Sequence, residues 1–445
     1  MKSNHYVLFL SITAALGGFL FGFDTAVISG AERDIQSLWG LDDLTHGFAV
    51  AMALYGTVIG AFFGGIPADK YGRKVTLLWI GILYLISAIG SGLAPEIISF
   101  MFFRFIGGLG VGASSVVAPM YISEIAPAKR RGQLVALYQF NIVFGILIAY
   151  FSNYLIGTAE ISNAWRWMLG VEAIPALIYC LMMFSVPKSP RWLIVKKKAY
   201  ELAREILTKT DPEGVEETMT LAIQESKEIK TKVSISTLFN SRFKKISLLA
   251  FAFAFFNQMS GINAIIYFAP RIFESAGIDA ESALISTIGI GLINLVATML
   301  GLYFIDKIGR KKLMYIGSFG YIISLSLMAY SYFGGAVESH LLPYFVFGFI
   351  ASHAIGQGSV IWVFIAEIFP NDLRAYGQSL GSFTHWILAA VIANVFPLFA
   401  NMFGAGYIFA FFALMMVIQL IWVFTKMPET KGSSLEEIQL QLHAK

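Results

Sequence analysis

The chain has 445 residues, 57% of them hydrophobic and only 13% charged, with a mean hydropathy of +0.69. So few charges cannot clothe a water-soluble surface of this size, and lipid must solvate most of the chain. The formal charge of +4 does not indicate a nucleic-acid partner, because the basic residues fall in short segments between apolar runs, where membrane topology places them.

In chain order, apolar windows predict helices at 6–29, 46–67, 75–94, 98–122, 133–156 and 165–186, then at 246–274, 281–305, 312–333, 341–366, 375–400 and 406–425. In lipid, runs of this length satisfy their backbone internally as helices, so the chain is expected to be an all-α membrane protein of twelve spans. The first run is too long for a signal-peptide core and lacks a small-residue cleavage pattern, and is expected to remain as the first span. Residues 188–245 carry Lys196, Lys197, Lys198, Glu201, Glu205, Asp211, Glu216, Glu217, Glu225 and Lys227, and are predicted to form a cytosolic linker of short helices. The expected division is a six-helix bundle over 1–187, the linker over 188–245, a second six-helix bundle over 246–427 and a cytosolic tail over 428–445.

With both termini in the cytoplasm, every Lys and Arg falls on the inner side except Arg33, Arg104, Arg166 and Arg271, which fixes the expected orientation in a cytoplasmic membrane. The outer loops are acidic instead, with Glu32, Asp42, Asp43, Glu96, Glu160, Asp279, Glu281 and Glu338. The one cysteine, Cys180, excludes an intrachain disulfide and reads as packing.

The two halves repeat each other. Asp69-Lys70-Tyr71-Gly72-Arg73-Lys74 follows the second span and Asp306-Lys307-Ile308-Gly309-Arg310-Lys311 follows the eighth. Glu124 and Arg131 after the fourth span match Glu367 and Arg374 after the tenth at the same spacing. Such symmetry belongs to transporters whose two bundles rock about a central site. These turns, with Gly22 to Gly30, Arg104-Phe105-Ile106-Gly107-Gly108, Pro187 to Leu193, Gln258 to Asn263 and Pro428 to Gly432, resemble the sugar porter family of the major facilitator superfamily along nearly the whole chain. The resemblance implies the major facilitator fold. Lys188 departs from it, standing where the family usually has an acid. The absence of a long first outer loop and of an N-x-S/T sequon there is similar to bacterial members.

Three ionisable residues fall inside apolar segments: Asp24, Arg104 and Glu172, in the first, fourth and sixth spans. An unpaired charge at mid-bilayer costs about 2.5–3.5 kcal/mol, so each is expected to have a partner. Counted from the predicted outer helix ends, all three lie at one depth. One reading makes Asp24 a proton site answered by Arg104; the other makes the two a permanent ion pair between spans. The resemblance favours coupling, and implies that Glu172 lies near the guanidinium.

A neutral, hydroxyl-studded solute needs amides that both donate and accept, and an aromatic face. Gln258 and Asn263 in the seventh span point about 140° apart on a regular helix, so they converge only if the helix bends, and Gly261 is the expected breaker. The resemblance implies that these two, with Gln139 and Asn294, contact sugar, and that Trp362 stacks on the ring. Asn257 stands where the family has a second Gln. Phe21 and Tyr267 are gate candidates, with packing as the plainer reading, and His385 stands where relatives carry an amide. Asp69, Arg73, Glu124 and Arg131, with Asp306, Arg310, Glu367 and Arg374, are expected to form charged belts that hold the cytoplasmic side shut.

The resulting expectation is a monomeric importer of a monosaccharide together with a proton, using no cofactor or metal. A facilitative uniporter, a polyol or inositol transporter and, from another class, a sugar-sensing receptor remain open. No H-E-x-x-H, no GxxxxGK[ST] and no Ser/His/Asp grouping supports an enzyme.

Overall fold

A computed structural model describes residues 3–227, 235–333, 339–432 and 437–438. Glu338 and most of the tail beyond 432 lie outside the described residues, as do the side chains of Glu225 and Lys227. Twelve helices among the described residues are long and apolar enough to span a bilayer. They are Asn4–Trp39, Asp43–Phe63, Arg73–Leu93, Ile97–Ile125, Ala128–Gly157 and Ala164–Ser185, then Lys244–Ser275, Ala280–Ile308, Arg310–Phe333, Leu342–Ile368, Leu373–Phe403 and Ala405–Thr425. Their outward faces carry bare apolar side chains, such as Leu93 at 73% and Phe424 at 72% exposure, which suit lipid and would invite aggregation in water.

Three boundaries differ from expectation for physical reasons. The first span does not stop at 29 but continues to Trp39, because Glu32 is buried against partners rather than solvated in a loop. Asp24 is therefore mid-helix, deeper than its distance from the predicted helix end implied. The sixth span is interrupted at Val171 and Glu172. The tenth widens into a π-turn at Ala354–Gly358.

The described residues form two compact units that do not follow the midpoint of the chain. One takes in 1–27, 52–149 and 166–232; the other takes in 28–51, 150–165 and 233–445. Within the first, the second and fourth spans approach backbone to backbone. A Cβ on Gly108 would sit 1.9 Å from the Ala53 carbonyl oxygen, and one on Gly112 would sit 2.2 Å from that of Thr57. Gly56 and Gly60 face Phe105 and Leu109 in the same way, so two small-xxx-small ridges are set against each other. The linker is helical at Tyr200–Thr210 and Val215–Lys227, and closes its own small core of Trp192, Leu193, Ile206, Leu207, Val215 and Met219.

Gly108→Val should force the second and fourth spans apart and destabilise the fold by about 1–3 kcal/mol. The check is the thermal transition in lipid nanodiscs, and an unchanged transition would mean that the spans do not touch there.

Candidate functional site

A cluster of three buried charges lies in the first compact unit. Arg104 donates through Nη1 to Asp24 Oδ1 at 2.5 Å and through Nη2 to the Asp24 carbonyl at 3.1 Å. Asp24, Arg104 and Glu172 are each only 1% exposed. The Glu172 carboxyl lies beside this pair, close enough to interact with both Asp24 and Arg104. The three expected partners thus meet, although the first helix extends well beyond them. Arg104 Nε, Glu172 Oε1 and the hydroxyls of Tyr84 and Ser87 are buried without a hydrogen-bond partner among the described residues, so the cluster keeps unused donors and acceptors. Phe21 is buried and Gln139 half-buried in this unit.

The amide cluster lies in the second unit. The seventh span breaks after Met259, with Gly261 in the left-handed region at φ 82°. No side chain fits there, since a Cβ would lie 2.4 Å from the Phe412 ring. The break turns Gln258 and Asn263 towards each other, and Asn263 Nδ2 donates to Gln258 Oε1 at 2.7 Å. Gln258 Nε2 lies 2.9 Å from Asn257 Oδ1 and 3.1 Å from His385 Nδ1. His385 is flanked by two indoles, with ring centroids 5.2 Å from Trp362 and 4.6 Å from Trp386. Four polar side chains and an aromatic wall are therefore joined in one layer. Asn294, 8% exposed, instead accepts from Thr298 on its own helix at 3.3 Å, and Tyr267 is fully buried.

Sequence reasoning missed a second polar chain in this unit. Gln357 in the π-turn donates to Gln419, and Gln419 donates to Ser318 Oγ at 2.9 Å. A lone Gln in the twelfth span, whose mean hydropathy is 2.4, was the available signal. His353 bonds the Tyr321 hydroxyl.

Both charged belts close within their own halves, with matching geometry. Arg73 donates to Glu124 at 2.9 Å, to Asp69 at 3.0 Å and to the Ala68 carbonyl at 3.0 Å. Arg310 donates to Glu367 at 2.7 Å, pairs with Asp306 at 3.1 Å and reaches the Ile305 carbonyl at 3.1 Å. Each acid also accepts a hydroxyl from a distant segment, Glu124 from Ser189 at 2.5 Å and Glu367 from Thr430 at 2.6 Å. Of the other two basic residues expected in the belts, Arg131 is exposed and Arg374 donates to the Ala366 carbonyl. Linear spacing pointed to the wrong base, because the arginine that opens the next helix already fills the carboxylate.

One member of the repeat is broken. Glu429 accepts from the amides of Arg310 and Lys311 at 2.9 and 3.0 Å, capping the ninth span. Lys188 occupies the equivalent place below the third span and cannot accept. Lys188→Glu should restore the missing cap and stabilise the protein by about 0.5–1 kcal/mol, seen as a raised thermal transition. A lowered transition would show that the lysine, not an acid, suits that helix end.

A family model described as "Sugar (and other) transporter" matches residues 10–442. The chain is 36% identical to the arabinose-proton symporter of Bacillus subtilis, over 98% of this chain and 95% of that protein. It is 34% identical to the D-xylose-proton symporter of Escherichia coli, over 98% and 96%. Among solved structures, the inward open conformation of the xylose transporter XylE from E. coli matches with a TM-score of 0.86 at 31% identity, covering 98% of this chain and 100% of that one. XylE bound to 6-bromo-6-deoxy-D-glucose matches with a TM-score of 0.78 at 32% identity, covering 99% and 100%.

Proposed function

Because the chain belongs to the sugar transporter family, we propose that it is a secondary active transporter that imports a monosaccharide together with a proton by alternating access. It is a multi-pass protein of the bacterial inner membrane, and in this reading a monomer whose termini face the cytoplasm, so that the Asp69 and Asp306 belts lie inside. The observation that carries the proposal is the enclosed group of Asp24, Arg104 and Glu172. A carboxylate there is held by one guanidinium, and protonating it frees that guanidinium to take another partner.

In the proposed cycle, a proton from outside neutralises Asp24 and weakens its hold on Arg104. Gln258, Asn263 and Asn257 offer donors and acceptors to the sugar hydroxyls in exchange for the bonds they make to one another, so the site is satisfied both empty and full. Trp362 and His385 supply the face for the apolar side of the ring. Gln139, Asn294, Phe21 and Tyr267 complete the proposed lining and gate. The belts at Asp69, Arg73 and Glu124 and at Asp306, Arg310 and Glu367, with Arg131 and Arg374 beside them, are the proposed inner gate. Pentoses and hexoses share the ring hydroxyl pattern these amides can read.

Asp24→Asn, measured in proteoliposomes under a pH gradient, should abolish uphill accumulation while sugar exchange continues. Accumulation at the wild-type level by that variant would remove Asp24 from coupling. Uptake by the wild type that an uncoupler leaves untouched would make the protein a passive carrier. Gln258→Ala should weaken sugar binding by about 1–3 kcal/mol, the range for losing a buried polar contact. Calorimetric titration with a panel of pentoses and hexoses checks it, and unchanged affinity would place the sugar elsewhere.

A further inference from the structure

Arg33, Arg104, Arg166 and Arg271 broke the charge pattern, and two of them, Arg33 and Arg271, mark a device that the transport reading has not used. Arg166 donates to the carbonyls of Gly92 and Ala94 at 3.0 and 2.8 Å and simply closes a turn. Arg33 pairs with Glu274 of the seventh span, and Arg271 on the same span reaches Glu32. Glu32 is wholly enclosed, and its two oxygens serve three donors. Arg271 Nε lies at 2.9 Å, Arg271 Nη2 at 2.6 Å and His46 Nε2 at 2.7 Å. Arg271 Nη2 also donates to Gln36 at 2.6 Å, Gln36 donates to Asp43 at 3.2 Å, and Asp43 accepts from Asn401 at 2.6 Å. The first, second, seventh and eleventh spans are thus fastened at the end away from the belts, all within the second compact unit.

Arg271 rides on a jointed piece of helix. The seventh span is broken at Gly261 and again at Phe268, where φ is −122° and ψ is 20°. Pro270 has no amide to give the Ile266 carbonyl, and the hydroxyl of Tyr150 on the fifth span donates to it at 3.0 Å. Tyr150 thus holds the piece between the joints, and Glu32 holds, through Arg271, the piece beyond Phe268.

The belt pairs Arg73–Glu124 and Arg310–Glu367 each lie within one half of the chain. Glu32–Arg271 joins the halves. With this end taken as the outer one, as in the transport reading on which the inference rests, sugar enters only when the first and second spans part from the seventh. A buried ion pair suits such a contact. Its net worth against two solvated ions is small, so it can open, yet one partner without the other is strongly disfavoured, which leaves few states between shut and open.

We propose that Glu32 is the lock of the outer gate: its carboxylate, held by Arg271 and His46, keeps the outer path shut and releases them when the path opens for loading. It positions the gate and does not touch the sugar.

The test is the distance between spin labels at S37C and A276C, in the full chain carrying Cys180→Ser, by double electron–electron resonance in lipid nanodiscs without sugar. The unsubstituted gate should give one short distance. Glu32→Gln, Arg271→Gln and the double variant should each raise the ratio of long to short distances about tenfold, within the usual range of coupling between sites. Glu32→Asp, which keeps the charge, should stay nearer to the parent. The double variant leaves no unpaired buried charge, so it is the form to read if either single variant fails to fold. A double variant with the parent's distance distribution overturns the proposal and leaves the cluster as packing. Because no sugar is present, a wild type that fails to transport monosaccharides would defeat the function proposed above without altering this readout.

Discussion

A guanidinium that water cannot reach, in the middle of a lipid-solvated bundle, must be neutralised by a neighbour, and for Arg104 that neighbour is Asp24. The pairing ties the first span to the fourth, and the Glu172 carboxyl beside it draws in the sixth. A charge so enclosed cannot be left alone at any stage, because an orphaned ion in low dielectric is far less favourable than a paired one. Whatever changes the charge on the carboxylate must therefore change the packing of these three spans. In the transport cycle proposed above, that requirement is what links a proton on one oxygen to movement of helices.

The amide cluster of the second unit answers the same constraint without charge. Gln258 is fully buried, and its amide is served at both ends by Asn263, Asn257 and His385. Neutral amides suit the sugar site proposed here, since each can exchange one partner for another of the same kind. Charges appear instead where position has to be fixed: at the belts, where an arginine at a helix start meets an acid at another helix end, and at the opposite end around Glu32.

Much of this was legible in the sequence because the signals are local. Twelve apolar runs gave twelve spans, and the duplicated Asp-Lys-x-Gly-Arg-Lys turns marked the repeat. Gly261 between two amides on opposite helix faces announced the bend that brings them together. What could not be read depends on distant partners. Glu32-Arg33-Asp34 looks like a solvated loop until Arg271, more than two hundred positions later, is seen against Glu32, and only then does the first helix make sense as far as Trp39. Arg131 and Arg374 misled for the converse reason: their spacing from the acids repeats, but Arg73 and Arg310 fill those carboxylates. Gln419 went unread because a single amide in an apolar helix gives no hint of Gln357.

The belts also bear on how the chain is made. Each belt is completed by a segment synthesised long after its helices, Ser189 for Glu124 and Thr430 for Glu367. The amino-terminal belt can finish as soon as the linker leaves the ribosome. Its counterpart waits until the segment after the twelfth span is made, because Glu429 must cap the ninth span and Thr430 must reach the tenth. A ribosome that stopped before Pro428 would release a chain with every span inserted and one half unfinished, a species that membrane quality control would meet as a fully threaded yet loosely closed protein.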